Sequence, residues 1–193
     1  MIPALAAVAA LFCAENARAD VLGLHADGYA GYSNYSKAGG GLTLGIDALA
    51  RIAFFQAGLV IDSTAGAGTA GNGNETAQTY GAMAGLAFYG KRFGLDLLAV
   101  GGAHVYDHVS QSLETGGVNA AAPFLQGRVG FNVLSLRPLS LGLWGLAGDD
   151  LTRSTKSFSV ANRAPGGGLI VDNASIGESS WGFAFRIGVD FGI

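Results

Sequence analysis

A histidine and a serine two residues apart form the first candidate for chemistry in this sequence. His108 and Ser110 flank Val109, and Glu114 follows four residues after the serine. A histidine that takes the proton of a serine hydroxyl turns that serine into a nucleophile, and a more distant acid orients the histidine. Glu114 is too close in sequence for that role. Both residues also fall on the predicted inward face of a strand, so a hydrolase is a less favoured alternative.

A glycine-rich segment forms a second candidate. The stretch GAGTAG at 66–71 has the spacing of a dinucleotide-binding loop. Such a loop requires a helix that begins there and points its N-terminus at a pyrophosphate. The residues that follow, NGNE at 72–75, lead instead into another alternating stretch. We interpret the segment as a loop and expect no cofactor.

Titratable side chains recur on one face of the alternating stretches. Buried charges persist only when they are paired. We therefore expect Arg128 to pair with Asp96, and Arg186 to pair with Asp27 or Asp190. We favour a structural polar plug over a path for protons or ions, and we expect no metal. The predicted inward polar network comprises His25, Asp27, Asp47, Asp62, Asp96, His104, Arg128, Arg186 and Asp190.

The composition indicates which elements position these residues. Half of the 193 residues are hydrophobic and 13% are charged, against a usual charged share of about 25%. No run of 18 uncharged apolar residues follows the first twenty positions, so membrane-spanning helices are not expected. The net charge of -3 argues against nucleic acid as a partner.

The first 19 residues have the pattern of a secretory signal peptide. An apolar run from Ile2 to Ala14 precedes Ala17-Arg18-Ala19, a small-x-small cleavage pattern, although no basic residue precedes the run. Cys13 falls inside this segment, so the mature domain, 20–193, contains no cysteine and no disulfide framework.

Apolar and polar residues alternate through the mature domain, as in β-strands. In the last stretch, SSWGFAFRIGVDFGI, large apolar residues occupy every second position and small or charged residues fill the others. Each stretch has about the length of a tilted membrane strand. The eight stretches are about 21–33, 40–48, 52–63, 78–89, 92–107, 120–134, 139–149 and 179–193.

The apolar face is predicted to be the outside of a closed barrel. An eight-stranded barrel has an interior just wide enough for side chains, so the face rich in glycine and charge belongs inside. Connections alternate between short and long, as expected for periplasmic turns and extracellular loops. The outward aromatic residues then fall near two rims, as interfacial girdles require. They are Tyr32, Phe55, Tyr80, Phe88, Phe93, Phe131, Trp181 and Phe191.

This pattern resembles the small outer-membrane barrels of Gram-negative bacteria, the class of the OmpA transmembrane domain and OmpX. The resemblance implies that the assembly machinery recognises the outward aromatic of the final strand, which matches Phe191. This chain departs from the pattern by continuing through Gly192 to Ile193. The His108-x-Ser110 element is similar to one in outer-membrane lipid A deacylases, which is the basis of the enzyme alternative.

We therefore predict an all-β, eight-stranded antiparallel up-and-down transmembrane barrel in a bacterial outer membrane. The expected role is structural or surface-interacting, with a narrow channel for small solutes or ions as the alternative. Expected partners are outer-membrane lipid and lipopolysaccharide, and the assembly machinery. An extracellular partner is expected at the longest loop, 150–178, whose apolar segments at 158–160 and 169–171 favour a protruding hairpin over a solvated loop.

Overall fold

The computed structural model describes residues 22–36, 39–66, 73–89, 93–110, 117–136, 138–152, 154–161, 169–176 and 178–192. Only the backbone is described for the segments 154–161 and 169–176 and for several strand ends, including 107–110. The predicted signal segment 1–19 and Ile193 lie outside the described residues. Within the described part of the chain, no helix is long and apolar enough to span a membrane.

Eight of the ten strands close into a barrel in which every neighbouring pair is antiparallel. The order around the barrel is β1-β10-β7-β6-β5-β4-β3-β2, so the chain goes up and down and the last strand closes against the first. This confirms the predicted fold class. The strands are β1 (Leu22–Tyr35), β2 (Gly39–Ile52), β3 (Phe55–Gly66), β4 (Gly73–Tyr89), β5 (Gly94–Ser110), β6 (Gly117–Leu136), β7 (Leu139–Asp150), β8 (Ser154–Ala161), β9 (Leu169–Ile176) and β10 (Ser179–Gly192).

Several strands extend beyond the predicted stretches. β4 begins at Gly73 rather than near 78, β6 begins at Gly117 rather than near 120, and β2 continues to Ile52. Backbone hydrogen bonds between paired strands continue past the part where apolar alternation marks a lipid-facing surface. The β1–β2 connection is consequently only 36–38, so the predicted strict contrast between short and long connections is weaker at this position.

The two ends of the barrel are distinguished by their connections. At one end, called the short-turn end, lie the β2–β3, β4–β5 and β6–β7 turns together with the start of β1 and the end of β10. The β2–β3 turn places Ala53 in the left-handed region, with a φ of 53°. The opposite, long-loop end holds the β1–β2, β3–β4 and β5–β6 connections and the segment between β7 and β10.

Side chains alternate between an outer and an inner face, as the pleat of a strand dictates. In β1 the pattern of exposed and buried residues alternates from Leu22 to Tyr29, and in β10 it alternates from Trp181 to Gly188. The outer face is apolar and exposed: Phe185 is 68% exposed and Leu59 is 65% exposed. The inner face holds the predicted titratable residues.

The interior also holds larger side chains than the predicted predominance of small residues implies. Trp144, Phe124 and Met83 are almost fully buried there, within a cluster that includes Tyr29 and Leu98. A second cluster nearer the long-loop end contains Tyr35 and Tyr106. Glycines on facing strands create the space for these rings: a Cβ at Gly130 would lie 2.6 Å from the Trp144 ring. The interior is therefore packed by rings placed against glycines.

The segment between β7 and β10 forms a two-stranded hairpin outside the barrel ladder. β8 and β9 pair in antiparallel register from Ser154 opposite Ile176 to Ala161 opposite Leu169. This is the hairpin expected for the 150–178 segment. Its expected turn at 164–167 lies outside the described residues.

Candidate functional site

The interior network is centred on Arg186 in the half nearer the short-turn end. Its guanidinium donates from Nη1 to Asp27 Oδ2 at 3.2 Å, and from Nη2 to Asp96 Oδ2. Nε and Nη2 also donate to Asn132 Oδ1 at 3.0 and 2.6 Å, and the guanidinium carbon lies 4.3 Å from the centre of the Trp144 ring. One buried cation therefore joins β1, β5, β6, β7 and β10 across the lumen.

Further polar side chains complete the surroundings of Asp96. Gln56 donates from Nε2 to Asp96 Oδ1 at 3.0 Å, and the Tyr89 hydroxyl donates to the same oxygen at 2.7 Å. Towards the turn itself, Arg51 lies over the Tyr89 ring at 4.6 Å and approaches Asp190 at 3.5 Å. These contacts fill the lumen at the short-turn end with charge-assisted hydrogen bonds.

A second centre lies around Arg128 on β6. Arg128 donates from Nη2 to Asp62 Oδ2 at 2.8 Å and from Nη1 to the Tyr29 hydroxyl at 3.0 Å. The Tyr29 hydroxyl donates in turn to Asp62 Oδ2 at 2.8 Å, and Arg128 Nε donates to Gln126 Oε1 at 2.7 Å. All four groups are buried, so the Arg128 charge is neutralised by a single carboxylate across the lumen.

A third centre closes the long-loop end. His104 Nδ1 and Asp150 Oδ1 are 2.7 Å apart, and the Tyr106 hydroxyl donates to Asp150 Oδ2 at 2.7 Å. The Glu178 backbone N–H donates to the same oxygen at 2.9 Å, while the Asp150 N–H donates to the Glu178 carbonyl at 3.0 Å. The Phe124 ring stacks on His104 at 3.9 Å. These bonds join the two strand ends from which the β8–β9 hairpin projects.

The remaining members of the predicted network, His25, Asp27 and Asp47, lie together on β1 and β2. Asp27 and Asp47 are directly opposite each other in the strand register. His25 Nε2 lies 2.9 Å from Asp27 Oδ2 but outside hydrogen-bond alignment. Among the described residues, neither oxygen of Asp47 has a hydrogen-bond partner, although the residue is only 4% exposed.

The predicted ion pairs agree with the structure only in part. Arg186 does pair with Asp27, but Arg128 pairs with Asp62 rather than with Asp96. Asp190 contacts Arg51 rather than Arg186. The prediction for Arg128 is wrong because its guanidinium crosses the lumen to β3, while Asp96 is occupied by Arg186, Gln56 and Tyr89.

Sequence reasoning missed Arg51, Asp150 and Glu178 as parts of the interior. It placed Arg51 in a turn and the two acidic residues in the long loop, whereas all three side chains are buried. The signal was present for two of them: Arg51 continues the inward parity of Thr43 and Asp47, and Asp150 continues that of Trp144. Extending each alternating stretch by a few residues finds both.

The aromatic residues predicted for two girdles lie mainly on the outer surface. At the long-loop end, the Tyr32 and Trp181 rings are 5.9 Å apart. At the other end, Phe93 and Phe131 stack at 6.1 Å. Of the remaining four, Phe88 is half-buried on the outward parity, and Phe55, Tyr80 and Phe191 are exposed, with the Tyr80 hydroxyl donating to Gln78 Oε1 at 2.7 Å.

Two motifs from the sequence lie wholly or partly outside the described residues. For His108 and Ser110 only the backbone is described, and Glu114 and residues 67–71 fall in the gaps between the described ranges. Within those ranges, no three His, Cys, Asp or Glu side chains are grouped so as to hold a metal ion.

Two solved structures share this fold. Neisserial surface protein A aligns with a TM-score of 0.58 at 13% identity, over 88% of this chain and 97% of that chain. A major outer membrane protein from Thermus thermophilus aligns with a TM-score of 0.64 at 8% identity, over 88% of this chain and 99% of that chain. No protein-family model and no curated protein matches the sequence.

At these identities the comparisons concern the fold. Both matched chains are covered almost completely, so the similarity extends over a whole barrel rather than over a few strands. The resemblance inferred from the sequence is confirmed at that level: this chain has the closed eight-stranded barrel fold of small outer-membrane proteins.

Proposed function

We propose that this protein is a barrel of the bacterial outer membrane that acts as a closed scaffold and presents the β8–β9 hairpin for surface interaction. The observation that carries the proposal is the filled lumen. Polar centres around Arg186, Arg128 and Asp150 follow one another from the short-turn end to the long-loop end. A pore for solutes requires an open, hydrated passage, which this succession of bonded side chains opposes.

The outer surface supports the membrane location. Large apolar side chains are exposed on all eight barrel strands, and among them Ile46, Ile187 and Ile52 are each more than 60% exposed. In water such a surface would aggregate, whereas hydrocarbon solvates it. Closure removes the unpaired strand edges that lipid cannot satisfy. Lipid and lipopolysaccharide are accordingly the partners of this face.

The hairpin is the part that we assign to interaction. It projects from the strand ends joined at Asp150 and Glu178, so a rigid scaffold supports it. Loops on rigid scaffolds commonly carry recognition. Placing the short turns in the periplasm puts the hairpin outside the cell, where an extracellular partner can reach it. The exposed Phe191 near the end of β10 is the residue we assign to recognition by the assembly machinery.

The closed lumen is tested by single-channel recording in planar bilayers. The wild-type protein is expected to give no steady openings. The double variant Trp144→Ala with Arg186→Ala removes a ring and the cation above it and is expected to give openings, which establishes that insertion and detection work. Folding of both proteins is checked by the mobility difference between unheated and boiled samples on a gel. Steady openings from the wild type would favour the narrow-channel alternative.

The orientation of the hairpin is tested by labelling cysteines on intact cells. Because Cys13 is the sole cysteine of the sequence, a Cys13→Ser background is free of thiols. Ser157→Cys and Phe158→Cys, neighbours on β8, are expected to react with a maleimide that does not cross membranes. The matched control, Ala53→Cys in the β2–β3 turn, is expected to react only after the cells are broken. The reverse pattern would contradict the proposed orientation.

The enzyme alternative is tested by incubation with lipopolysaccharide followed by mass spectrometry. A structural protein is expected to leave every acyl chain in place. Loss of an acyl chain that is abolished by Ser110→Ala would instead assign lipid A deacylation to the His108-x-Ser110 element.

A further inference from the structure

Asp47 differs from the other carboxyl groups described inside the barrel. Asp62 and Asp96 each receive hydrogen bonds from a guanidinium, and Asp150 receives them from Tyr106 and the Glu178 N–H. Within the described part of the chain, both Asp47 oxygens are buried without any such donor. An ionised carboxylate left in this state incurs a large desolvation cost, which a neutral acid largely avoids.

The groups around Asp47 do not supply the missing positive charge. On β1 it faces Asp27, with His25 and Tyr29 above and below, and on β3 the adjacent carboxyl is Asp62. Across the lumen stand Arg128 on β6 and Arg186 on β10, with Asp190 also on β10. Each guanidinium already bonds other acids: Arg128 is held by Asp62, and Arg186 by Asp27 and Asp96.

Asp27 adds a like charge directly opposite. The two residues are register partners on adjacent antiparallel strands, where Cα atoms are about 4.5–5.5 Å apart. Two buried carboxylates this close do not both ionise readily. Asp27 is the one stabilised as an anion, because it receives an N–H from Arg186 and lies beside His25. Asp47 is then the one that carries the proton.

We propose that the lumen contains a proton-binding site at which Asp47, opposite the ionised Asp27, holds one proton and is a neutral carboxylic acid. Uptake adds a proton to one Asp47 oxygen and removes one negative charge from the interior; release restores the carboxylate. The ligand is a proton rather than a metal ion, since no metal-binding group of side chains occurs in the described ranges. The site makes the stability of the folded barrel depend on pH.

Infrared spectroscopy tests the protonation state directly. At neutral pH the folded wild type is expected to show the C=O stretch of a protonated carboxylic acid, and Asp47→Asn is expected to lose it. The matched control is Asp149→Asn, at an exposed carboxylate near the long-loop end, which is expected to retain the band. Absence of the band from the wild type, or its persistence in Asp47→Asn, would overturn the proposal.

Urea unfolding in lipid vesicles between pH 5 and pH 9 provides the second test. A group that holds its proton only in the folded state loses stability as pH rises, and each proton released raises the unfolding constant by up to about tenfold per pH unit. The wild type is expected to follow this trend more steeply than Asp47→Asn, whose amide mimics the neutral acid. Equal slopes would overturn the proposal and assign the pH dependence to His25 or His104.

Two further arms distinguish a bound proton from a broken ion pair and from a bound alkali cation. Asp27→Asn removes the partner of Arg186 and is expected to weaken the barrel at every pH, unlike Asp47→Asn. The titration is repeated with sodium chloride and with choline chloride at equal ionic strength. Identical curves support a proton, whereas stabilisation by sodium alone at high pH would assign the site to an alkali cation and overturn the proposal.

Discussion

The inner and outer faces of the same strand follow opposite rules. On β6, Arg128 is 1% exposed and bonded to three side chains, whereas the next residue, Val129, is 52% exposed on the outer surface. Inside, a side chain is kept by specific polar partners and by fit against rings. Outside, apolar character is enough. A one-residue step along the backbone therefore changes what a substitution does.

Glycines show the same contrast. On the inner face, a Cβ at Gly130 would lie 2.6 Å from the Trp144 ring, and one at Gly148 would lie 2.7 Å from Gln126 Cβ. On the outer face, a Cβ at Gly127 or Gly145 would meet only a backbone oxygen at 3.9 or 4.0 Å. Inner glycines are required by packing, and nothing in the packing explains the outer ones.

The largest effect is expected from removing the central inner cation. Arg186→Ala leaves Asp27 and Asp96 buried without their guanidinium, and breaking a buried pair in this way costs about 3–5 kcal/mol. Urea unfolding in vesicles, followed by tryptophan fluorescence, measures the loss. A loss below about 1 kcal/mol would mean that the inner face does not depend on specific ion pairs.

A charge on the outer face is expected to have the next largest effect. Phe185 is 68% exposed and central in β10, so Phe185→Lys places an ammonium in hydrocarbon at a cost of about 2–4 kcal/mol. Phe191→Lys, near the short-turn rim, is the matched control and is expected to cost about 0–1 kcal/mol. Equal costs in the same unfolding measurement would remove the case for a lipid-facing surface.

The glycine pair on β6 sharpens the comparison at one strand. Gly130→Ala forces the Trp144 ring to move, and overpacking of this kind costs about 1–3 kcal/mol. Gly127→Ala adds the same methyl group in open space on the outer face, and its measured free energy of unfolding is expected to stay near that of the wild type. A larger cost for Gly127→Ala would reverse the assigned packing of the two faces.

The smallest effect is expected where the inner face meets water. Arg51 and Asp190 are 3.5 Å apart near the short-turn end, and the Asp190 side chain is 16% exposed. Solvent screening limits such a pair, so Asp190→Asn is expected to cost about 1 kcal/mol or less. The comparison of interest is with Arg186→Ala by the same urea titration: equal losses would show that depth in the lumen does not decide the value of a pair.

The sequence was sufficient for the strand count, the topology and the two faces, because period-two alternation records which neighbour each side chain meets. It was not sufficient for the pairing of charges. Arg128 and Asp62 are separated by 66 positions and meet only because closure brings β6 opposite β3 across the lumen. Such a contact depends on the stagger of the strands, which alternation does not encode.

The strand ends were the other part that pattern reading left unresolved. Asp150 and Glu178 flank the segment that contains the hairpin, where polar residues indicate a loop, yet they are buried and bond each other's backbone. The cause is that a barrel ladder continues above the apolar band. A polar residue at the end of a strand can therefore cap the lumen as readily as it can face water.

The opposition of the two faces is tested most directly by the two tryptophans of the sequence. Trp144 is 2% exposed inside the barrel, and Trp181 is 51% exposed on the outside. Trp181→Phe and Trp144→Phe each leave one of them as the only fluorophore of its kind, in vesicles whose lipids carry brominated acyl chains. We predict strong quenching of Trp181 and almost none of Trp144; quenching of Trp144, or none of Trp181, would contradict the account.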